Sequence, residues 1–175
     1  AMTGLGTEAL IHGLVDFAPN PLEGYPQEAV NENGETVEIN CAPEETPVLF
    51  VFKTISDQYG KQSYFKVISG DATPDLSLEN PRTGDIEKLG HIYTVKGKKN
   101  TEVKLLCCGD IGMVSKLASL KTGDTLCVPA RPLTVKPIDY PNPCHSRAIS
   151  ATGKGPEEKI AAGLTRLAEE DLSFT

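Results

Sequence analysis

Between Val48 and Val135 the sequence is a series of short apolar, β-branched and aromatic runs, cut by glycine, aspartate and proline turns, with no helical periodicity between them. Val48-Leu49-Phe50-Val51-Phe52-Lys53-Thr54 predicts a first strand and Ser63–Ser69 a second, ended by Gly70. Leu76 and Leu78 mark a third, Ile86–Val95 a fourth, and Gly109–Val114 another behind a tight turn. Thr101–Cys107 reads as strand or loop, and Leu133–Val135 as a last strand. Turns are expected at Asp57–Lys61, Asn80–Gly84, Gly97–Asn100 and Thr122–Leu126. Strands at this spacing predict a closed antiparallel β-barrel. Closure also removes the exposed edges that many short strands would otherwise present. The 16 glycines and 13 prolines favour short strands over long helices, and an apolar content of 39% is too high for a disordered chain.

The flanks have another texture. Thr7–Phe17 carries Leu10, Ile11, Leu14 and Val15 at the spacing of a short amphipathic helix, capped at Thr7 or a neighbour and ended by Pro19 and Pro21. Ala1 and Met2 read as a cloning remnant ahead of a start that is not natural. Glu23–Glu45 is polar and glutamate-rich, a linker or extended arm with one strand at Thr36–Asn40. Five prolines between Pro129 and Pro143 predict an extended connector, followed by a strand at Ser146–Ser150. A helix is then expected from Pro156 to about Glu170, with Pro156 at its first position, Glu157 and Glu158 at the positive end of its dipole, and Ile160, Leu164 and Leu167 as its apolar stripe. One strand and one helix cannot bury a face alone, so this end reads as the opening of a further domain.

The net charge of −7 argues against a nucleic-acid binder by total charge. It hides an asymmetry. Asn80–Lys104 holds Arg82, Lys88, Lys96, Lys98, Lys99 and Lys104 against Asp85, Glu87 and Glu102, and this local excess of cations is suited to phosphate. The other reading is a lysine-rich hairpin kept soluble by its charges. Cys41, Cys107, Cys108, Cys127 and Cys144 are odd in number and irregular in spacing. With no signal peptide and no membrane-length apolar run, free thiols in a reducing cytoplasm are the simplest account.

Catalytic signatures are missing. A phosphate-binding loop needs a glycine five residues before its Gly-Lys pair and a hydroxyl after it. Gly60-Lys61 has Ile55 and Gln62 at those places, and Gly153-Lys154 has Ala148 and Gly155. No nucleotide or metal cofactor is therefore expected here. Cys107 and Cys108, adjacent on a strand, would face opposite ways and make no two-thiolate claw. Cys144-His145 lacks further ligands nearby. No motif ties His12, His91 or His145 to Cys108 as a base. Gly109-Asp110 and Gly123-Asp124 read as architectural turns, with glycine supplying positive φ and aspartate accepting backbone hydrogen bonds.

Three ordered segments carry a resemblance. They are Gly60–Gly70 (GKQSYFKVISG); Cys108–Val114 with Thr122-Gly123-Asp124-Thr125-Leu126; and Pro156–Ile160 with Leu164–Asp171 (LTRLAEED). In this order the chain resembles the elongation factor G family of translational GTPases over roughly Thr46–Phe174. The helix at Leu10–Phe17 with Ala18-Pro19-Asn20-Pro21 is similar to the exit of that family's GTPase domain. Lys66 stands where arginine is usual, Cys108 replaces a small residue, Leu172 replaces a proline, and Asp71–Asp75 is unusually acidic, which marks a divergent paralogue.

The resemblance implies four parts. Residues 1–23 would be the end of the GTPase domain, 24–46 a linker, 47–136 the β-barrel second domain of the translation-protein type, and 137–175 the truncated start of an α+β third domain. It implies an intact parent that hydrolyses GTP with magnesium to drive movement of tRNA and mRNA. It also implies a monomeric cytoplasmic fragment that packs on its neighbouring domains and touches small-subunit ribosomal RNA, with no membrane or DNA partner. Arg82, Lys88, Lys96, Lys98 and Lys99 are the expected phosphate contacts, which position without reading sequence. Gly70, Gly109, Asp110, Gly123 and Asp124 are the expected turns. A ribosomal-protection protein or a release-factor GTPase would share these features. A stand-alone acidic barrel binding a protein partner is the reading from another class, supported by the net charge and the acidic arm.

Overall fold

The computed structural model describes residues 3–57, 60–117, 119–150 and 157–174. The chain opens with helix α1 (Thr7–Phe17) and a short 3-10 turn (Pro21–Glu23). The strands follow: β1 (Gln27–Asn31), β2 (Thr36–Ile39), β3 (Val48–Asp57), β4 (Gly60–Ser69), β5 (Ser77–Asn80) and β6 (Asp85–Lys88). Then come β7 (Ile92–Lys96), β8 (Lys99–Val103), β9 (Ile111–Ser115), β10 (Thr125–Cys127), β11 (Leu133–Val135) and helix α2 (Glu157–Glu170).

Strand β3 organises the molecule. It pairs antiparallel with β4 and with β10, and both its faces are covered, which is why its sequence is a continuous apolar run instead of an alternating one. Leu49 and Val51 point into one core with Phe65, Val67, Leu78, Ile92, Val114 and Leu126. Val48 and Phe50 point into a second with Ala29, Ile39, Ile68, Leu133 and Val135. The second core is roofed by a three-stranded sheet of order β11-β1-β2. The register shift between Val51 and Lys53 is a bulge that bends β3 as it leaves the core.

Several expectations change. The strands make a mainly antiparallel eight-stranded sheet of order β6-β5-β10-β3-β4-β9-β7-β8, and among the described residues no ladder joins β6 to β8, so closure as a barrel is not seen in the pairing. The arm holds two strands, not one: β1 escapes a reading by pattern because only Ala29 of its five residues is buried. Ile86–Val95 is not one strand but β6 and β7, split where Leu89 turns into the core and Gly90 takes φ 65°. Ser146–Ser150 is exposed and forms no strand. Helix α1 starts behind Gly6 at φ 80° with no side-chain cap, so neither Thr7 nor a neighbour supplies one. The turn expected at Asp57–Lys61 and the helix start at Pro156 fall partly outside the described residues.

Candidate functional site

The basic residues expected at phosphate do not gather in one place. Lys96 and Lys99 pair across the β7–β8 turn, and with Lys98 between them all three side chains are exposed at its tip. Strand β8 ends the sheet on one side; Lys88 lies on β6, which ends it on the other, and sits 3.4 Å from Asp75. The tip forms because Gly97 takes φ 61°, letting a two-residue turn link strands whose Ile92 and Val103 face each other. His91 Nδ1 lies 2.6 Å from Glu102 Oε1 at the other end of this hairpin.

Arg82 is engaged elsewhere. Its Nε donates to Asp124 Oδ1 at 2.6 Å and its Nη2 to Asp124 Oδ2 at 2.8 Å and to the Ser119 carbonyl. Asp124 also accepts from Asn80 Nδ2 and from the Lys121 N–H, each at 2.8 Å. Burial alone would raise the Asp124 carboxyl; the bonds from Arg82, Lys121 and Asn80 and the Arg82 charge outweigh it and hold the group below the usual carboxylate range. Arg82 is thus committed to an intramolecular fork, the strong bidentate form.

The turn residues have local partners. Gly70, Gly109 and Gly123 take φ 64°, 92° and 94°. Asp110 accepts the Cys107 N–H at 2.9 Å, closing its turn as Asp124 closes its own. Among the described residues no three His, Cys, Asp or Glu side chains group as a metal site, and no helix is long and apolar enough to cross a membrane.

Two features were not foreseen. Cys41 and Cys108 are disulfide-bonded, with Cα atoms 5.7 Å apart, in place of the free thiols expected; a separation of 67 residues hides such a pair from any local spacing. Cys107 and Cys108 lie in the turn ahead of β9 and not on a strand, so the opposite-face argument does not apply to them. Helix α2 also docks on β3 and β4: Glu169 reaches Lys61 at 3.7 Å, and Glu170 accepts the Ser56 N–H at 2.8 Å.

The sequence pattern of the family described as elongation factor G domain 2 matches residues 47–129, the span from just before β3 to just past β10. Residues 47–129 belong to the elongation factor G domain 2 family. Similarity to proteins named elongation factor G extends well beyond that span. The chain is 32% identical to elongation factor G 2 of Trichodesmium erythraeum (strain IMS101) over 97% of its own length and 24% of the relative's. It is 33% identical to elongation factor G 2 of Desulfotalea psychrophila over 99% of its length and 25% of that protein. It is 31% identical to elongation factor G 1 of a Synechocystis species over 97% and 25%. A crystal structure of ttk003000868 from Thermus thermophilus superposes with a TM-score of 0.76 at 26% identity, covering 96% of this chain and 23% of that one. The chain therefore spans about a quarter of the length of the elongation factor G relatives it matches. The apolar stripe of α1 is unpacked, with Leu10 64% and Val15 77% exposed.

Proposed function

We propose that this chain is the ribosome-facing β-domain of an elongation factor G-like translational GTPase. Residues 1–23 are the end of its GTPase domain, 24–46 the connecting arm, 47–136 the β-barrel domain and 137–175 the start of its third domain. The barrel closes through packing around the core of Leu49, Phe65, Ile92 and Leu126 and not through a continuous ladder. The intact protein, cytoplasmic and monomeric, binds GTP and magnesium in its GTPase domain and uses hydrolysis to move tRNA and mRNA. This segment contributes a surface for small-subunit ribosomal RNA.

The observation that supports the contact is the exposed tip Lys96-Gly97-Lys98-Lys99 on the end hairpin of an otherwise acidic chain. Lysine ammonium groups there meet phosphate as mobile point charges, which suits contacts that position without selecting sequence. Arg82 and Lys88 are dropped from the proposed surface, since each already has an acidic partner. The test is binding to small ribosomal subunits across a salt series, with Lys96, Lys98 and Lys99 changed to Glu. Salt-sensitive binding that the triple variant loses is expected. Binding insensitive to salt and to the variant would sink the contact and favour a protein partner for the acidic surface.

A further inference from the structure

The Cys41–Cys108 bridge sits where three parts of the chain meet. Cys41 follows β2, and Cys108 belongs to the turn that precedes β9. Next to it, Gly109 donates its N–H to the Val67 carbonyl at 2.8 Å, fixing that turn on β4. A Cβ built on Gly109 would overlap the Pro21 ring and lie 3.7 Å from Cys41 Sγ, so Pro21 is seated on Gly109, beside the bridge. Pro21 opens the 3-10 turn that follows α1, held by a capping box in which Asn20 accepts from the Leu22 and Glu23 N–H groups and Glu23 accepts from Asn20. A cleft of about 380 Å³ runs between the Pro19–Tyr25 segment and β4, with Cys41 and Gly109 in its wall. Both bonded cysteines are half-buried, so small thiols and disulfides reach them.

The remaining cysteines compete poorly. Cys107 is exposed, but desolvation and the nearby Asp71 and Asp110 carboxylates push its thiol up, away from the reactive thiolate. Cys127 is buried and likewise pushed up by desolvation. Cys144 is exposed and lies far along the chain, beyond β11.

We propose that Cys41 and Cys108 form a reversible redox modification site, whose oxidation by a low-molecular-weight disulfide clamps the Pro19–Tyr25 segment onto the β-domain. One cysteine thiolate attacks the disulfide RSSR, forms a mixed disulfide and expels one RS⁻. The second thiolate then attacks the protein-side sulfur, closes Cys41–Cys108 and expels the second RS⁻. The two protein thiols lose two electrons and two protons, and RSSR leaves as two RSH. The clamp is local. The ladders of β1 with β2 and β11, and the buried Ile39, hold the arm in either state. What reduction loosens is the covalent tie between the end of β2 and the turn that carries Gly109, and with it the seat of the segment that leads out of α1.

The test uses the 175-residue chain in buffers of graded reduced-to-oxidised glutathione ratio, with thiols alkylated before and after reduction by reagents of different mass. Cys41 and Cys108 are expected to become protected together in one transition and to yield a cross-linked peptide, while Cys107 and Cys144 stay alkylated. Backbone hydrogen exchange over residues 19–25 is expected to be roughly tenfold faster in the reduced chain. Cys41→Ser and Cys108→Ser should exchange at the reduced rate in every buffer, and Cys107→Ser should keep the transition. Absence of an intramolecular pair at every ratio, or protection of Cys41 independent of Cys108, overturns the modification site. Equal exchange over residues 19–25 in the two states of the unmutated chain overturns the clamp.

Discussion

Asp124 shows what a single residue contributes and how much of it the sequence discloses. The Gly123-Asp124 pair marks a turn, and the Lys121 N–H bond to the carboxylate is the local half of that reading. Its other partner, Arg82, is 42 positions away, and nothing in the local pattern distinguishes that arginine from a surface cation. The pair gives Arg82 a structural partner within the chain. Replacing Asp124 by Ala strands Asn80 and the guanidinium, and is expected to cost about 2 kcal/mol in urea unfolding. The pH dependence has a definite sign. Asp124 titrates lower in the folded chain than its ordinary 3.8, so the unfolded chain takes up the proton first as pH falls. Its contribution is complete above that ordinary value and is lost as pH drops through the lowered folded value. An Asp124→Asn variant should therefore show a flatter loss of stability on acidification, read from urea midpoints at successive pH values. The bridge is a second residue-scale case. Closing a loop across 67 residues restricts the unfolded chain by about 4 kcal/mol in the chain-entropy account. Reductant, or Cys41→Ser, is expected to lower Tm by roughly 10 °C in calorimetry.

At the scale of elements, periodicity locates those that bury a face and misses those held by pairing alone. Strand β11 and helix α1 fall where their patterns put them, Leu133–Val135 and Thr7–Phe17. Strand β1 carries Gln27, Glu28 and Asn31 around its one buried Ala29, so its place comes from the ladders to β2 and β11 and not from its own side chains. Strands β6 and β7 merge in the sequence because the chain between them remains apolar at Leu89 while it changes sheet partner. Helix α2 has a clear stripe, yet its docking depends on Glu169 and Glu170, which a stripe does not predict. A helix of this length is marginal alone in water. Changing Glu169 and Glu170 together to Ala is expected to release α2. Its helical signal at 222 nm should fall, while the unfolding of the β-domain shifts by no more than about 1 kcal/mol, since one partly covered ion pair and one hydrogen bond contribute little to it. A matching loss of β-domain stability would mean instead that α2 is part of that core.

For the whole molecule, charge distribution carries the functional reading, and there the sequence discloses the patch but not its composition. The excess of cations in Asn80–Lys104 is visible in the residue string, whereas the assignment of Arg82 to Asp124 and Lys88 to Asp75 needs three dimensions. What remains, with Lys104, is a three-lysine tip on a chain of net charge −7. That tip also sits on an end strand, where lysines protect a free edge from pairing with other chains. The two roles separate by experiment. If the lysines only guard the edge, changing Lys96, Lys98 and Lys99 to Gln promotes self-association and leaves any ribosomal affinity untouched. If they contact phosphate, each removes about one unit from the slope of log affinity against log salt concentration, because each releases about one condensed cation. The triple Gln variant is then expected to lower that slope by about three while remaining monomeric in sedimentation. The acidic remainder of the chain repels RNA most strongly at low salt, so orientation matters as well as affinity. Moving three lysines to the opposite face by compensating substitutions should restore the net charge without restoring the binding.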